Sequence, residues 1–141
     1  MEEFKIYKAG EFVTTANELK VYNPYTKSAF AKTYLAGKDE LDACIEKAKN
    51  VEEEMKNLPS YKRYNILMQI SQGIQDNRKL FAETLSKQSG KPMKYSLGEV
   101  DRAAQGFIIA AEEAKRLPKE YISIDWTAKG EGKEGIVKHF P

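Results

Sequence analysis

Between Lys38 and Leu117 the sequence repeats one pattern without a break for strands: an apolar residue every third or fourth position, punctuated by helix stops. That period is the signature of amphipathic helices with one buried face. Leu41, Cys44, Ile45, Ala48, Val51, Met55 and Leu58 draw the first stripe, which Pro59 ends. Glu40 stands three residues after Gly37, a weakened capping box with glycine in the cap position. Ser60 is placed to cap a second helix with Tyr64, Leu67, Met68, Ser71 and Ile74 on its apolar side. Asn77 restarts the register for a third, carrying Leu80, Phe81, Thr84 and Leu85. Gly90 then supplies a left-handed residue and Pro92 blocks continuation. The fourth and longest helix is expected from about Lys94 to Leu117, with Leu97, Val100, Ala104, Phe107, Ile108, Ala111 and Ala114 on one side and Pro118 beyond.

Strands flank this block on both sides. In "FKIYKAGEFV", Gly10 sits between two short aromatic and β-branched runs, a hairpin signal. A second strand pair is expected around the turn string Asn23-Pro24-Tyr25-Thr26. After the helices come "YISIDW", a glycine-rich turn and "GIVKHFP". The reading is therefore mainly α with flanking β-hairpins, an α+β chain. It divides into residues 1–36 (hairpins), 37–118 (four helices) and 119–141 (strand, turn, strand), together one incomplete domain. Single crossover helices alternating with strands would mark a wound parallel sheet, and that alternation is missing.

The last segment contains Gly130, Gly132 and Gly135 in the spacing G-x-G-x-x-G. In a dinucleotide-binding loop those glycines open a helix whose N-terminus holds a pyrophosphate, and an acid follows about 20 residues on. Here the β-branched and aromatic run Ile136–Pro141 follows, which reads as a strand, and no chain remains for the acid. A glycine-rich hairpin is the better reading.

Other candidates for chemistry give the same answer. Cys44 lies mid-helix on the apolar stripe, where a small buried hydrophobe is expected rather than an activated thiol. His139 is the sole histidine and has no cysteine cluster with which to bind a metal. Glu52, Glu53 and Glu54 suit a solvated face. Glu99 and Asp101 are two apart and diverge, with Arg102 a possible i+3 partner for Glu99. Tyr61, Lys62, Arg63 and Tyr64 are too few for a nucleic-acid surface. No catalytic, cofactor-binding or metal-binding residue is assigned. The net charge of +2 is interleaved, so no nucleic-acid partner is expected. One cysteine, an acidic start "MEEFKIYKAGEFV" and no long apolar run point to a cytoplasmic protein with no membrane span.

The strings "VYNPYTKSAFAKTYLAGKDELDACIEKAKN", "LPSYKRYNILMQISQGIQDNRKLFAETLSKQSGKP" and "GEVDRAAQGFIIAAEEAKRL" resemble the N-terminal region of the aldehyde dehydrogenase superfamily. Landmarks match in order: N-P-x-T, L-P, K-R-x-x-I-L, S-G-K-P and G-E-V-D-R-A, and "EGIVKHFP" resembles a strand that usually ends in R-E-P. The wording around "LPSYKRYNILMQIS" is nearest the lactaldehyde and non-phosphorylating glyceraldehyde-3-phosphate dehydrogenases. Lys27 and Ser28 replace the usual Gly and Glu after the N-P-x-T turn, and a positive φ at Lys27 would cost about 1 kcal/mol. His139 and Phe140 stand where the family tends to have Arg and Glu.

The resemblance implies a parent that oxidises an aldehyde through a cysteine thiohemiacetal, passing hydride to NAD or NADP. Its catalytic cysteine, general-base glutamate, oxyanion-stabilising asparagine and wound nucleotide-binding sheet would all lie beyond Pro141. The segment itself is then expected to bind no cofactor and to be inactive, with the rest of the parent chain as its partner. The last strands would correspond to an oligomerisation element, and the final strand and fourth helix are expected to drive self-association. The alternative is an autonomous helical interaction or scaffold module derived from that family.

Overall fold

A computed structural model of the chain describes residues 1–116 and 120–137. Among the described residues, seven short strands, five α-helices and one 3₁₀ turn make a mixed α/β structure with three small sheets. The N-terminal strands are β1 (Glu2–Glu3), β2 (Ile6–Lys8), β3 (Glu11–Val13), β4 (Glu18–Tyr22) and β5 (Ala29–Tyr34).

The β2–β3 hairpin turns on Ala9 and Gly10, both at positive φ (50° and 102°), in register Ile6↔Val13 to Lys8↔Glu11. Paired positive φ angles match the right-handed twist of flanking strands. Tyr7 and Phe12 meet edge to face across the ribbon at 5.3 Å. Strands β4 and β5 also pair antiparallel, and the Asn23 side chain builds their turn by accepting from the amides of Tyr25 (2.9 Å) and Thr26 (3.2 Å). Lys27 takes the positive φ of 59° that this turn demands, so the strain that the sequence raised is realised. One feature escapes the sequence reading: β1 adds in parallel to β5, giving the order β1-β5-β4.

The first expected helix divides in two. Val51 adopts φ −104°, ψ 3°, which separates α1 (Lys38–Asn50) from α2 (Glu52–Lys56). The Gly37 amide donates to the Glu40 carboxylate at 2.8 Å, the half of the capping box that a glycine permits. Helix α3 (Ser60–Asp76) takes extended Pro59, not Ser60, as its cap residue. Proline's fixed φ lets the helix begin one residue earlier, so Ser60 becomes its first turn. Asn77 both ends α3 and starts α4 (Arg78–Ser89). Gly90 is left-handed at φ 69°, and α5 (Met93–Ala114) follows. Leu117 and Pro118, the expected end of α5, lie outside the described residues.

Most of the core is where α3 and α4 each pack on α5, and Ala31 and Tyr34 of β5 are buried as well. Val100, Ala104 and Ala111 are buried, and so are Ala82, Ser71 and Ser96. Small side chains let the helix axes approach closely, and each buried hydroxyl then needs an acceptor. Ser71 Oγ donates to the Ala104 carbonyl at 2.9 Å, and the Ser86 and Ser96 hydroxyls share a 2.8 Å bond. Outside the core, Arg78 grips Asp101 with two nitrogens (2.6 and 2.8 Å), and Lys115 lies 4.1 Å over the Tyr64 ring.

The α3 and α5 stripes match the sequence reading; α4 does not. Leu80 and Phe81 are exposed, and Ala82 takes the buried position instead. The chain's last described ribbon pairs β6 (Glu120–Ser123) antiparallel with β7 (Glu134–Val137) around a 3₁₀ turn at Ala128–Gly130.

Candidate functional site

The glycine-rich loop is a hairpin connection. Gly130 ends the 3₁₀ turn, where a Cβ would fall 2.2 Å from the Ile124 carbonyl oxygen, so only glycine fits. Gly132 takes φ 71°, and Gly135 lies within β7. A dinucleotide needs these glycines at the mouth of a helix, and here strand Glu134–Val137 follows them. The three glycines therefore stand in a hairpin and not at the mouth of a helix.

Glu99, Asp101 and Glu53 are occupied structurally. Glu99 pairs with Lys91 across the α4–α5 corner, not with Arg102 as its spacing suggested, because the turn at Gly90 brings Lys91 back over α5. The Lys91 hydrogen bond holds the Glu99 carboxyl below its ordinary range, and Arg78 does the same for Asp101. Such acids stay ionised near neutrality, unlike a general acid or base tuned to it. Glu53 lies 3.4 Å from Lys56 on its own short helix. Within the string Tyr61–Tyr64, two side chains are engaged elsewhere. Arg63 donates to the carbonyls of Met55 and Lys56 (3.2 Å each), tying α2 to α3, while Tyr64 lies under Lys115.

Cys44 is half-buried instead of buried. It lines a shallow groove of about 360 Å³ with Tyr7, Gly10, Ala48 and Val51, between the β2–β3 hairpin and α1. The α1 stripe stays open, with Leu41, Ile45 and Val51 exposed. His139 and Phe140 lie outside the described residues. No group of three metal-ligating side chains gathers among the described residues, and none of their helices is long and apolar enough to cross a membrane.

A cluster absent from the sequence reading joins three strands. Lys32 on β5 lies 3.0 Å from Glu3 of β1 and 3.2 Å from Glu18 of β4, and the Tyr34 hydroxyl donates to the same Glu3 carboxylate. Glu3 is pushed down by the Tyr34 and Lys32 hydrogen bonds, and Lys32 is pushed up chiefly by Glu3. Nothing in the sequence signals the cluster, because it depends on which strand neighbours β5.

What the geometry leaves most prominent is uncovered apolar surface. Leu41 and Met55 on α1 and α2, Leu80 and Phe81 on α4, and Ile109 on α5 are exposed. On the β6–β7 ribbon Tyr121 and Trp126 are 73% and 78% exposed, beside exposed Ile124 and Ile136. Each strand of that ribbon has one edge without a strand partner among the described residues. Faces of this kind dock other protein surfaces.

Comparison with known proteins identifies the source of the arrangement. The 3-sulfolactaldehyde dehydrogenase of Priestia megaterium is 33% identical over 142 aligned residues, which cover 100% of this chain and 29% of that protein. A lactaldehyde dehydrogenase of Methanococcus maripaludis is 40% identical over 106 residues, 75% of this chain and 23% of the relative. The crystal structure of aldehyde dehydrogenase 21 from Physcomitrella patens, in complex with the reaction product succinate, superposes with a TM-score of 0.91. The two are 32% identical, over 96% of this chain and 28% of that one. The NADP-dependent glyceraldehyde-3-phosphate dehydrogenase of Bacillus halodurans shares the fold, with a TM-score of 0.87 at 24% identity and 94% and 28% coverage. The chain thus spans less than a third of the length of these relatives. A profile of the aldehyde dehydrogenase family matches residues 12–141, and the chain belongs to that family.

Proposed function

We propose that this chain is the N-terminal segment of an NAD(P)-dependent aldehyde dehydrogenase that oxidises an aldehyde to a carboxylic acid. The observation that carries the reading is a pairing. The family match runs along nearly the whole chain, yet α1, α4, α5 and the β6–β7 ribbon present apolar side chains to solvent. A segment of a larger enzyme would cover those faces with the remainder of its parent chain. The nucleotide and the reactive thiol belong to that remainder, because the glycine loop here opens a strand and Cys44 lies mid-helix on an apolar stripe. By itself the chain is inactive.

The relatives named as lactaldehyde and sulfolactaldehyde dehydrogenases support a small hydroxyaldehyde as the parent's substrate class. Residues 1–36, 37–118 and 119–141 then serve as hairpins, helical block and oligomerisation element of one incomplete domain in a cytoplasmic enzyme. The exposed β6–β7 edge and Ile109 of α5 support self-association through the final ribbon and α5.

The decisive experiment reads the coding DNA past Pro141 and assays the products. An open frame leading to a nucleotide-binding sheet and a later cysteine, whose product reduces NAD or NADP with lactaldehyde, supports the reading. Hydride transfer by residues 1–141 alone would refute the assignment of chemistry to the remainder. Light scattering on residues 1–141 is expected to show oligomers that dissociate when Tyr121 and Ile136 are replaced by serine. A clean monomer at high concentration would defeat self-association.

A further inference from the structure

Two apolar crevices flank Phe4. One, about 210 Å³, is lined by Val21, Phe30, Ala31, Thr33 and Thr84 together with Phe4. The other, about 460 Å³, lies between Glu2, Glu3, Phe4 and the α4 residues Leu80, Phe81 and Thr84. Phe4 and Thr84 line both, so the phenyl ring divides a single trough between the three-stranded sheet and α4.

The segment that carries this ring is weakly anchored by its backbone. Strand β1 is two residues long, and among the described residues it pairs on one side only, in parallel, with β5. Its last backbone bond is from the Phe4 amide to the Lys32 carbonyl at 2.9 Å. A strand so short does not hold itself in place. Phe4 is still 45% exposed, so its burial supplies only part of the usual gain for a phenylalanine. What remains is the side chain of Glu3, which receives the Tyr34 hydroxyl and the Lys32 ammonium at one oxygen. Glu18 holds Lys32 from the other side, and Tyr34 is buried, so both donors are already placed. Charge-assisted bonds to pre-positioned donors are the strong kind.

We infer that residues 1–5 form a displaceable strap, latched by Glu3 onto Lys32 and Tyr34, which opens and closes the apolar trough between the β-sheet and α4. When the latch lets go, Phe4 leaves the trough, the two crevices merge, and the edge of β5 loses its parallel neighbour. The strap is a local unit: β4 and β5 keep their own pairing from Glu18↔Tyr34 to Tyr22↔Ala29.

The test is hydrogen exchange on the chain with no tag ahead of Met1, comparing Glu3→Gln with the unsubstituted sequence. The Phe4 amide is expected to exchange at least about threefold faster in the variant, the range of one exposed ion pair. The Leu35 amide, bonded to the Asn17 carbonyl at 2.8 Å, keeps its rate. Tyr34→Phe retains the buried ring and removes the donor, and it is expected to release Phe4 in the same way. Binding of an apolar fluorescent dye rises in both variants toward the level of a chain lacking residues 1–5. Unchanged Phe4 exchange in both variants overturns the latch. So does equal acceleration at Phe4 and Leu35, which would mean general loosening, and so does a dye signal that the deletion leaves unaltered.

Discussion

Helices α1 and α5 carry the same kind of apolar stripe, yet one is covered and the other is not. On α5, Val100 retains 7% of its exposure, because α3 and α4 both lie against that face. On α1, Leu41 retains 59%, since the β2–β3 hairpin that lies beside the helix leaves that position open. An amphipathic stripe states that a helix has a partner; it does not say that the partner is within reach of the same segment. This aldehyde dehydrogenase family member spans less than a third of its relatives' length, and under the function proposed above the open stripe is where the rest of the enzyme would pack.

The comparison is broken most directly by placing one charge on each helix. Val100→Asp puts an unpaired carboxylate into the α3–α5 contact and should cost roughly 3–5 kcal/mol, enough to unfold the helical block. Leu41→Asp should change stability by less than about 0.5 kcal/mol. Urea denaturation followed by circular dichroism measures both, and equal losses would show that α1 is packed after all.

Gly90→Ala should cost about 1–2 kcal/mol, from the left-handed φ of 69° and from a Cβ 3.0 Å from Pro24 Cγ. The same denaturation reads it, and a neutral result would mean that the β4–β5 turn does not rest on the α4–α5 corner. Lys27→Gly should instead stabilise by up to about 1 kcal/mol, by relieving a lysine at φ 59°. A loss in melting temperature would count against that account.

The smallest effect is electrostatic. Glu99 and Asp101 are held below their ordinary values of 4.5 and 3.8 by Lys91 and Arg78. Their contribution is therefore fully present above those values and is lost as pH falls through the lowered ones. Stability measured from pH about 6 to about 3 should decline at the acid end, and Asp101→Asn should flatten part of that decline. An unchanged slope in Asp101→Asn would remove the Arg78 pair from the ledger.

Much of the local structure was legible, and each success has a local cause. Gly90 and the turn at Asn23 depend on residues that are neighbours in the chain, and so does the start of α4 at Asn77. One error was local, since Ser60 lost its cap role to its neighbour Pro59. The others arose where packing between elements decides: Glu99 chose Lys91 over the nearer Arg102, and Phe81 yielded the buried face to Ala82. The strap could not be foreseen, because Glu3 and Lys32 meet only once β1 lies beside β5.

By itself the sequence determined the order of most elements, most of their stops and turns, and a family resemblance spread over ordered landmarks, since all of these rest on adjacent residues and on period. Tertiary structure alone decided which stripes are covered, which ion pairs form, and that a two-residue strand closes on β5. Those outcomes depend on distances between segments far apart in the chain, and a one-dimensional pattern carries no distances.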